Sequence, residues 1–236
     1  MDGLRKAGKR DGLIYCAMEN KSPSQASIQV SARIGTVSAI VLAPPSPVAV
    51  LALAHGAGAG MNHPFMSSLA EALLQHGIAT VRYNFPFAEK GKGRPDPAPV
   101  AEQVAAAAAA YTHDKFPSLP LFAGGKSFGG RMTSHWMARE NAAYVKGLVF
   151  FGFPLHPPGK PATDRAAHLE AVGVPMLFLQ GTRDALAQWS LIERVVTALP
   201  DATLEKLDGA DHGFRAGKGY LTEELARRAA EWIKAV

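Results

Sequence analysis

Six short apolar runs, separated by stretches of helical periodicity, constrain this chain more than any other feature. They are Val48 to Ala54, Ala79 to Tyr83, Leu119 to Ala123, Lys146 to Phe151, Pro175 to Gln180 and the weaker Thr203 to Leu207. Near-continuous apolar runs of this length suit strands covered on both faces. The first helical pattern, Pro64 to His76, has proline in its first turn, Phe65, Leu69 and Leu73 on one stripe, and Gly77 as a stop. Pro99 to Lys115 is rich in alanine, and Phe128 to Glu140, Ala185 to Leu199 and Tyr220 to Ala235 complete the helical set. Ahead of them Ile28, Val30, Ala32 and Ile34 alternate with polar residues, and Gly35-Thr36 turns the chain back into Val37 to Ala43, an edge hairpin. This order predicts an α/β protein, a three-layer α/β/α sandwich whose mostly parallel sheet carries an antiparallel N-terminal hairpin. Its ligand site belongs at the carboxyl ends of the strands, so chemistry-bearing residues should fall just after apolar runs.

Residues 27–236 are expected to form one domain behind a flexible tail over 1–26, with Met18 as an alternative start. The only cysteine is Cys16, which excludes a disulfide framework and thiolate metal clusters and fits a reducing cytoplasm. Pro44, Pro45 and Pro47 interrupt the longest apolar region, so no membrane segment is expected. The net charge of +5 is spread over the tail (Arg5, Lys6, Lys9, Arg10) and one loop (Lys90, Lys92, Arg94), without a basic stripe of interleaved aromatics. Nucleic-acid binding is therefore not expected, while the loop could attract an anionic substrate.

Ala123-Gly124-Gly125-Lys126-Ser127-Phe128-Gly129-Gly130 crowds four glycines around one serine where an apolar run ends. A phosphate-binding loop would need glycine where Pro120 stands, and so fails. A plain tight turn and a G-x-S-x-G nucleophile elbow remain. The elbow needs small residues two positions to either side of the serine, and it sets the hydroxyl at a helix N-terminus that favours developing negative charge. Serine needs a histidine base, itself oriented by a carboxylate. His76, His113 and His168 lie in helical stretches, and His63, His135 and His156 read as loop or surface residues. His212, in Gly209-Ala210-Asp211-His212-Gly213-Phe214, follows the last strand and is the expected base. Asp184, after Gln180-Gly181-Thr182-Arg183, is the expected acid, its alternative role being a helix cap. Asp208 and Asp211 share the loop of His212 and are less able to reach its far ring nitrogen. His55-Gly56-Ala57-Gly58-Ala59-Gly60 follows another strand; as a dinucleotide turn its third glycine comes too early. As part of an oxyanion site, it offers the Ala57 amide to pair with that of Phe128.

H-G-A-G-A-G, Arg82-Tyr83-Asn84-Phe85-Pro86-Phe87 with its Lys/Gly-rich sequel, G-K-S-F-G-G-R, Q-G-T-R-D and G-A-D-H-G-F together resemble the α/β-hydrolase superfamily from about Ile28 onward. Within it they are similar to a small, lid-less bacterial group related to dienelactone hydrolases and to testis-expressed-protein-30-like proteins. The resemblance implies Ser127 as nucleophile, Asp184 as acid, His212 as base, and Ala57 and Phe128 as oxyanion donors. His55, Gly56, Asn84 and Lys126 stand at the same strand ends and are expected to meet the substrate. Dienelactone hydrolases carry cysteine where Ser127 stands, so their particular substrate does not carry over. The short Gly152 to Val174 segment predicts a rigid loop with one helix and no cap domain. The expected protein is a monomer or homodimer that hydrolyses a small ester or thioester without cofactor or metal. An acyltransferase, a peptidase and a non-catalytic scaffold remain as alternatives.

Overall fold

The computed structural model describes residues 22–91, 93–216 and 219–236. The expected tail and the alternative start at Met18 lie outside them up to residue 21, as does Lys92.

The expected strands form one eight-stranded sheet. β1 (Ser24–Ser31) pairs antiparallel with β2 (Gly35–Leu42), which pairs antiparallel with β4 (Ile78–Tyr83). β3 (Ala49–Ala54), β5 (Leu121–Lys126), β6 (Val145–Phe151), β7 (Met176–Gly181) and β8 (Ala202–Leu207) continue in parallel, giving the order β1-β2-β4-β3-β5-β6-β7-β8. The hairpin starts earlier than its apolar alternation, at Ser24, and turns through residues 32–34, so Ile34 belongs to the turn rather than to the strand. Backbone pairing extends past the last side chain that needs burial, which the alternation cannot register.

Two cores sandwich the sheet. On one face, α1 (Pro64–Gln75) and α6 (Thr222–Ala235) cover Leu51, Leu53, Val149, Phe151, Leu177 and Leu179. On the other, α3 (Ala98–Lys115), α4 (Phe128–Glu140) and α5 (Trp189–Thr197) cover Val50, Ala52, Val81, Leu148, Phe150 and Phe178. Alternate residues of each strand thus serve opposite cores, the reason the runs read as continuously apolar. His63 caps α1, its Nδ1 accepting the Phe65 N–H at 3.2 Å. α3 presents Ala101, Ala105, Ala108 and Ala109 to the sheet, so its alanine run is a packing surface.

α5 starts four residues later than the pattern predicts, because 185–188 are held in turns. The Asp184 carboxylate takes the Leu186 N–H at 2.7 Å, and the Gln188 N–H goes to His156 Nε2 at 2.9 Å. His156 is accordingly buried rather than on the surface. The segment between β6 and β7 carries only a 3-10 helix, Asp164–Ala171, and no cap domain. A short helix α2 (Pro86–Glu89) and a two-stranded hairpin, β9 (Arg215–Ala216) with β10 (Gly219–Tyr220), have no counterpart in the sequence reading. Tyr220 therefore belongs to a strand, and α6 begins beyond it.

The chain winds outward from β3 in both directions: α1 returns it to β4 on one side, and α3 carries it to β5 on the other. The carboxyl ends of β3 and β5 flank this switch point, where a crevice opens in sheets of this kind. Among the described residues no helix is long and apolar enough to cross a membrane.

Candidate active site

Ser127 sits between β5 and α4 with φ 51° and ψ −115°, a left-handed conformation that costs a non-glycine residue of order 1–3 kcal/mol. The turn is tight because it is wedged against the end of β3. A Cβ on Gly125 would lie 2.8 Å from the Ala54 Cβ, and one on Gly129 would lie 2.5 Å from both that Cβ and the His55 carbonyl oxygen. The glycines on either side of the serine thus answer to a neighbouring strand as well as to the turn's own torsions.

Three side chains from three strand ends meet here. Ser127 Oγ lies 2.8 Å from His212 Nε2, and His212 Nδ1 lies 2.7 Å from Asp184 Oδ2. Asp184 is 5% exposed and the His212 side chain 25%, so the carboxylate is enclosed while the imidazole faces the crevice. The carboxylate fixes the ring: Nδ1–H donates to it, leaving Nε2 to accept the serine proton. Asp184 also accepts the Leu186 N–H through Oδ1 and the Gln180 amide at 2.6 Å through Oδ2. The other acids are engaged elsewhere. Asp208 pairs with Lys206 at 3.0 Å, and Asp211 Oδ1 accepts the Arg215 N–H at 2.9 Å. Such an arrangement can draw a proton from a serine hydroxyl and steady the imidazolium that results.

A cleft of about 440 Å³ opens beside Ser127, with Phe65, Met66, Leu186 and Tyr220 supplying apolar wall. Gly56 and Ala57 line it, and a Cβ on Gly56 would stand 3.7 Å from the Ser127 Cβ. Among the described residues neither the Ala57 nor the Phe128 amide has a protein acceptor, so both remain free to donate.

Three expected substrate contacts have other duties. His55 is 0% exposed; its Nδ1 donates to the Gly56 carbonyl at 2.8 Å and its Nε2 accepts the Phe85 N–H at 3.1 Å. With both nitrogens engaged and burial holding its pKa below the usual histidine value, His55 braces the loop and does not line the cleft. Asn84 Oδ1 accepts the Met61 N–H at 2.8 Å and faces a second cleft of about 460 Å³ on the far side of the Ala57–Gly60 loop. Lys126 lines the cleft, but its ammonium donates to the His212 carbonyl at 2.6 Å. Of the basic loop, Gly91 and Gly93 border the second cleft, and neither Lys90 nor Arg94 borders the cleft at Ser127.

Sequence reasoning passes over Gln180. Its Oε1 accepts the Phe153 N–H at 2.9 Å while its Nε2 holds Asp184, so one buried amide fixes the acid to the sheet. The available signal was a lone polar side chain at the end of an apolar strand, four residues before the acid. Arg215 and Tyr220, joined from guanidinium to hydroxyl at 2.7 Å, form a cleft wall that only the short hairpin reveals. Among the described residues no cluster of metal-binding side chains occurs.

Solved structures share this architecture. A dienelactone hydrolase from Anabaena variabilis superposes with a TM-score of 0.70 at 20% identity, over 90% of this chain and 98% of that one. An alpha-beta serine hydrolase homologue from Coxiella burnetii gives 0.69 at 19% identity, over 89% and 95%. A serine hydrolase without lid from Xanthomonas campestris gives 0.64 at 19%, over 90% and 92%. At these identities the likeness is one of fold. Residues 47–236 match the model of the alpha/beta hydrolase domain, and the chain belongs to that family.

Proposed function

We propose that the protein is a serine hydrolase that cleaves a small carboxylic ester or thioester through an acyl-Ser127 intermediate. The observation that carries this reading is the continuous relay from Ser127 Oγ through His212 to the enclosed Asp184, with spacings of 2.8 and 2.7 Å. Ser127 Oγ attacks the carbonyl carbon as His212 Nε2 takes its proton. The Ala57 and Phe128 amides, the latter at the amino end of α4, receive the oxyanion. Collapse of the tetrahedral intermediate expels the alcohol or thiol, which leaves with the proton from His212. Water, deprotonated by the same nitrogen, then releases the acid and restores the serine. Every proton moves through one imidazole, so the scheme needs no metal or organic cofactor.

The cleft is short of a cap and modest in volume, which favours small or surface-presented acyl groups over long lipids. A fluorophosphonate probe should label Ser127, and an acyl-chain series of p-nitrophenyl esters should show turnover that peaks at short chains. Absence of label on folded protein would overturn the reading in favour of a non-catalytic role for the fold.

A further inference from the structure

We propose that Lys126 is a positioning residue whose ammonium clamps the main chain at His212 and so holds the imidazole in reach of Ser127. This rests on the hydrolase reading above and deepens it. Lys126 is the last residue of β5, directly before Ser127, and its Nζ donates to the His212 carbonyl across 86 residues of chain. The ammonium also lies 5.1 Å from the centroid of the Phe214 ring. A Cβ on Gly152 would come within 3.2 Å of it, so the glycine leaves it room. Within the loop the Asp211 N–H donates to the Arg215 carbonyl and the Phe214 N–H to the Asp211 carbonyl, while the Gly209 N–H on Thr182 Oγ1 and the Arg183 N–H on the Ala210 carbonyl tie its start to the turn after β7. The Lys126 bond instead ties the peptide of His212 to the strand that presents Ser127. Adjacent residues thus hold the serine and the far end of the histidine, which places both in one frame.

The charged groups that act on Lys126 are Asp184 from the turn after β7 and Asp211 from the histidine loop, and His63, His212, Arg215 and Tyr220 are the other titratable groups that line the same cleft. Burial pushes the Lys126 amine down to about 8, while Asp184 and Asp211 oppose that shift. Above that pH the amine is neutral and its bond to the carbonyl loses its charge assistance. The clamp therefore weakens and kcat falls on the alkaline side. Fold stability runs the other way. The unfolded chain, with lysine near its ordinary 10.5, binds more protons between about 8 and 10.5, so stability rises with pH across that window. A merely structural lysine would follow stability, whereas a positioning lysine follows kcat.

The test compares Lys126→Met and Lys126→Gln with the parent, using p-nitrophenyl acetate from pH 6 to 10 and hydrogen exchange at the amides of Asp211, Phe214 and Arg215. Lys126→Met should lower kcat at pH 7 by about 10- to 100-fold with KM changed less than about twofold. The parent should show an alkaline limb near pH 8 that both variants lack, and Lys126→Gln, still a donor, should recover part of the loss. After correction for intrinsic rates, exchange at the three amides should rise about tenfold in Lys126→Met below pH 8. Parent-like kcat in Lys126→Met with parent-like exchange would overturn the clamp and leave the hydrolase reading intact. Faster exchange in a protein whose parent cleaves no ester would sustain the clamp and overturn the hydrolase reading. If Lys126→Met does not fold, Lys126→Gln and the parent's own alkaline limb decide, and a parent flat to pH 10 overturns the proposal.

Discussion

Among the described residues two serine–histidine pairs have the same length, and they are opposites. Ser127 Oγ and His212 Nε2 are 2.8 Å apart at the cleft; Ser134 Oγ and His168 Nε2 are 2.8 Å apart where α4 meets the 3-10 helix. At the cleft, the carboxylate behind the ring takes Nδ1–H, so the serine hydroxyl donates. In the second pair, the Ser134 hydroxyl is committed to the Arg131 carbonyl at 2.9 Å, so the serine oxygen accepts from the ring. The charges differ as well. His168 stacks on His135 at 3.6 Å between centroids, and burial, His135 and Arg131 together push its pKa down to about 3. Those neighbours penalise the imidazolium that a base must become, whereas His212 has the Asp184 carboxylate at 2.7 Å from its Nδ1. Equal contact distances thus conceal opposite hydrogen-bond polarities, and what stands around each pair sets which one holds.

The strongest way to break this contrast is to remove each serine in turn. Ser127→Ala should lower kcat for p-nitrophenyl acetate by about 10⁴-fold or more, and Ser134→Ala should leave it within about twofold of the parent. Equal losses would abolish the distinction. Asp184→Asn should cost about 10³- to 10⁴-fold in kcat, because the amide must turn an N–H toward either the donors on Oδ2 or the Leu186 N–H on Oδ1. Its kinetics with folding intact would show whether the carboxylate, rather than the contact, makes the site. Gln180→Leu sharpens the same point at one remove. It frees Asp184 and strands the buried Phe153 N–H, so stability should fall by about 1–3 kcal/mol in urea titration and kcat by about tenfold. The smallest effect on catalysis concerns the silent pair. The folded His168 titrates far below the ordinary 6.5, so acid favours the unfolded chain, and stability should fall as the pH drops from about 6.5 toward 3. A Ser134→Ala/His168→Phe variant should keep parent activity while its melting temperature declines less steeply between pH 6.5 and 4.

Much of the site is legible before folding because its parts are local. Gly125 and Gly129 around Ser127, the strand ahead of it and the helix after it form one continuous segment, and their spacing already specifies the turn. The order serine, aspartate, histidine is legible because each falls just after an apolar run. Choosing Asp184 over Asp211 also follows from reach, and the structure shows Asp211 turned to the Arg215 backbone instead. Harder to read are the residues whose hydrogen-bond partners are remote. His55 stands in a small-residue loop beside the site, and only the Phe85 N–H, 30 residues away, shows that its ring is fully engaged.

The alternation of apolar strands and helices, with its glycines and chain order, specified the sandwich and pointed to the three side chains that the structure brings within hydrogen-bond distance, since each follows an apolar run. Tertiary structure alone decided the duties of His55, Asn84, Lys126 and Gln180 and the opposite polarity of the two serine–histidine pairs. A side chain with several hydrogen-bonding atoms takes its role from whichever partners the fold brings within 3 Å of them, and residues dozens of positions apart in the chain supply those partners.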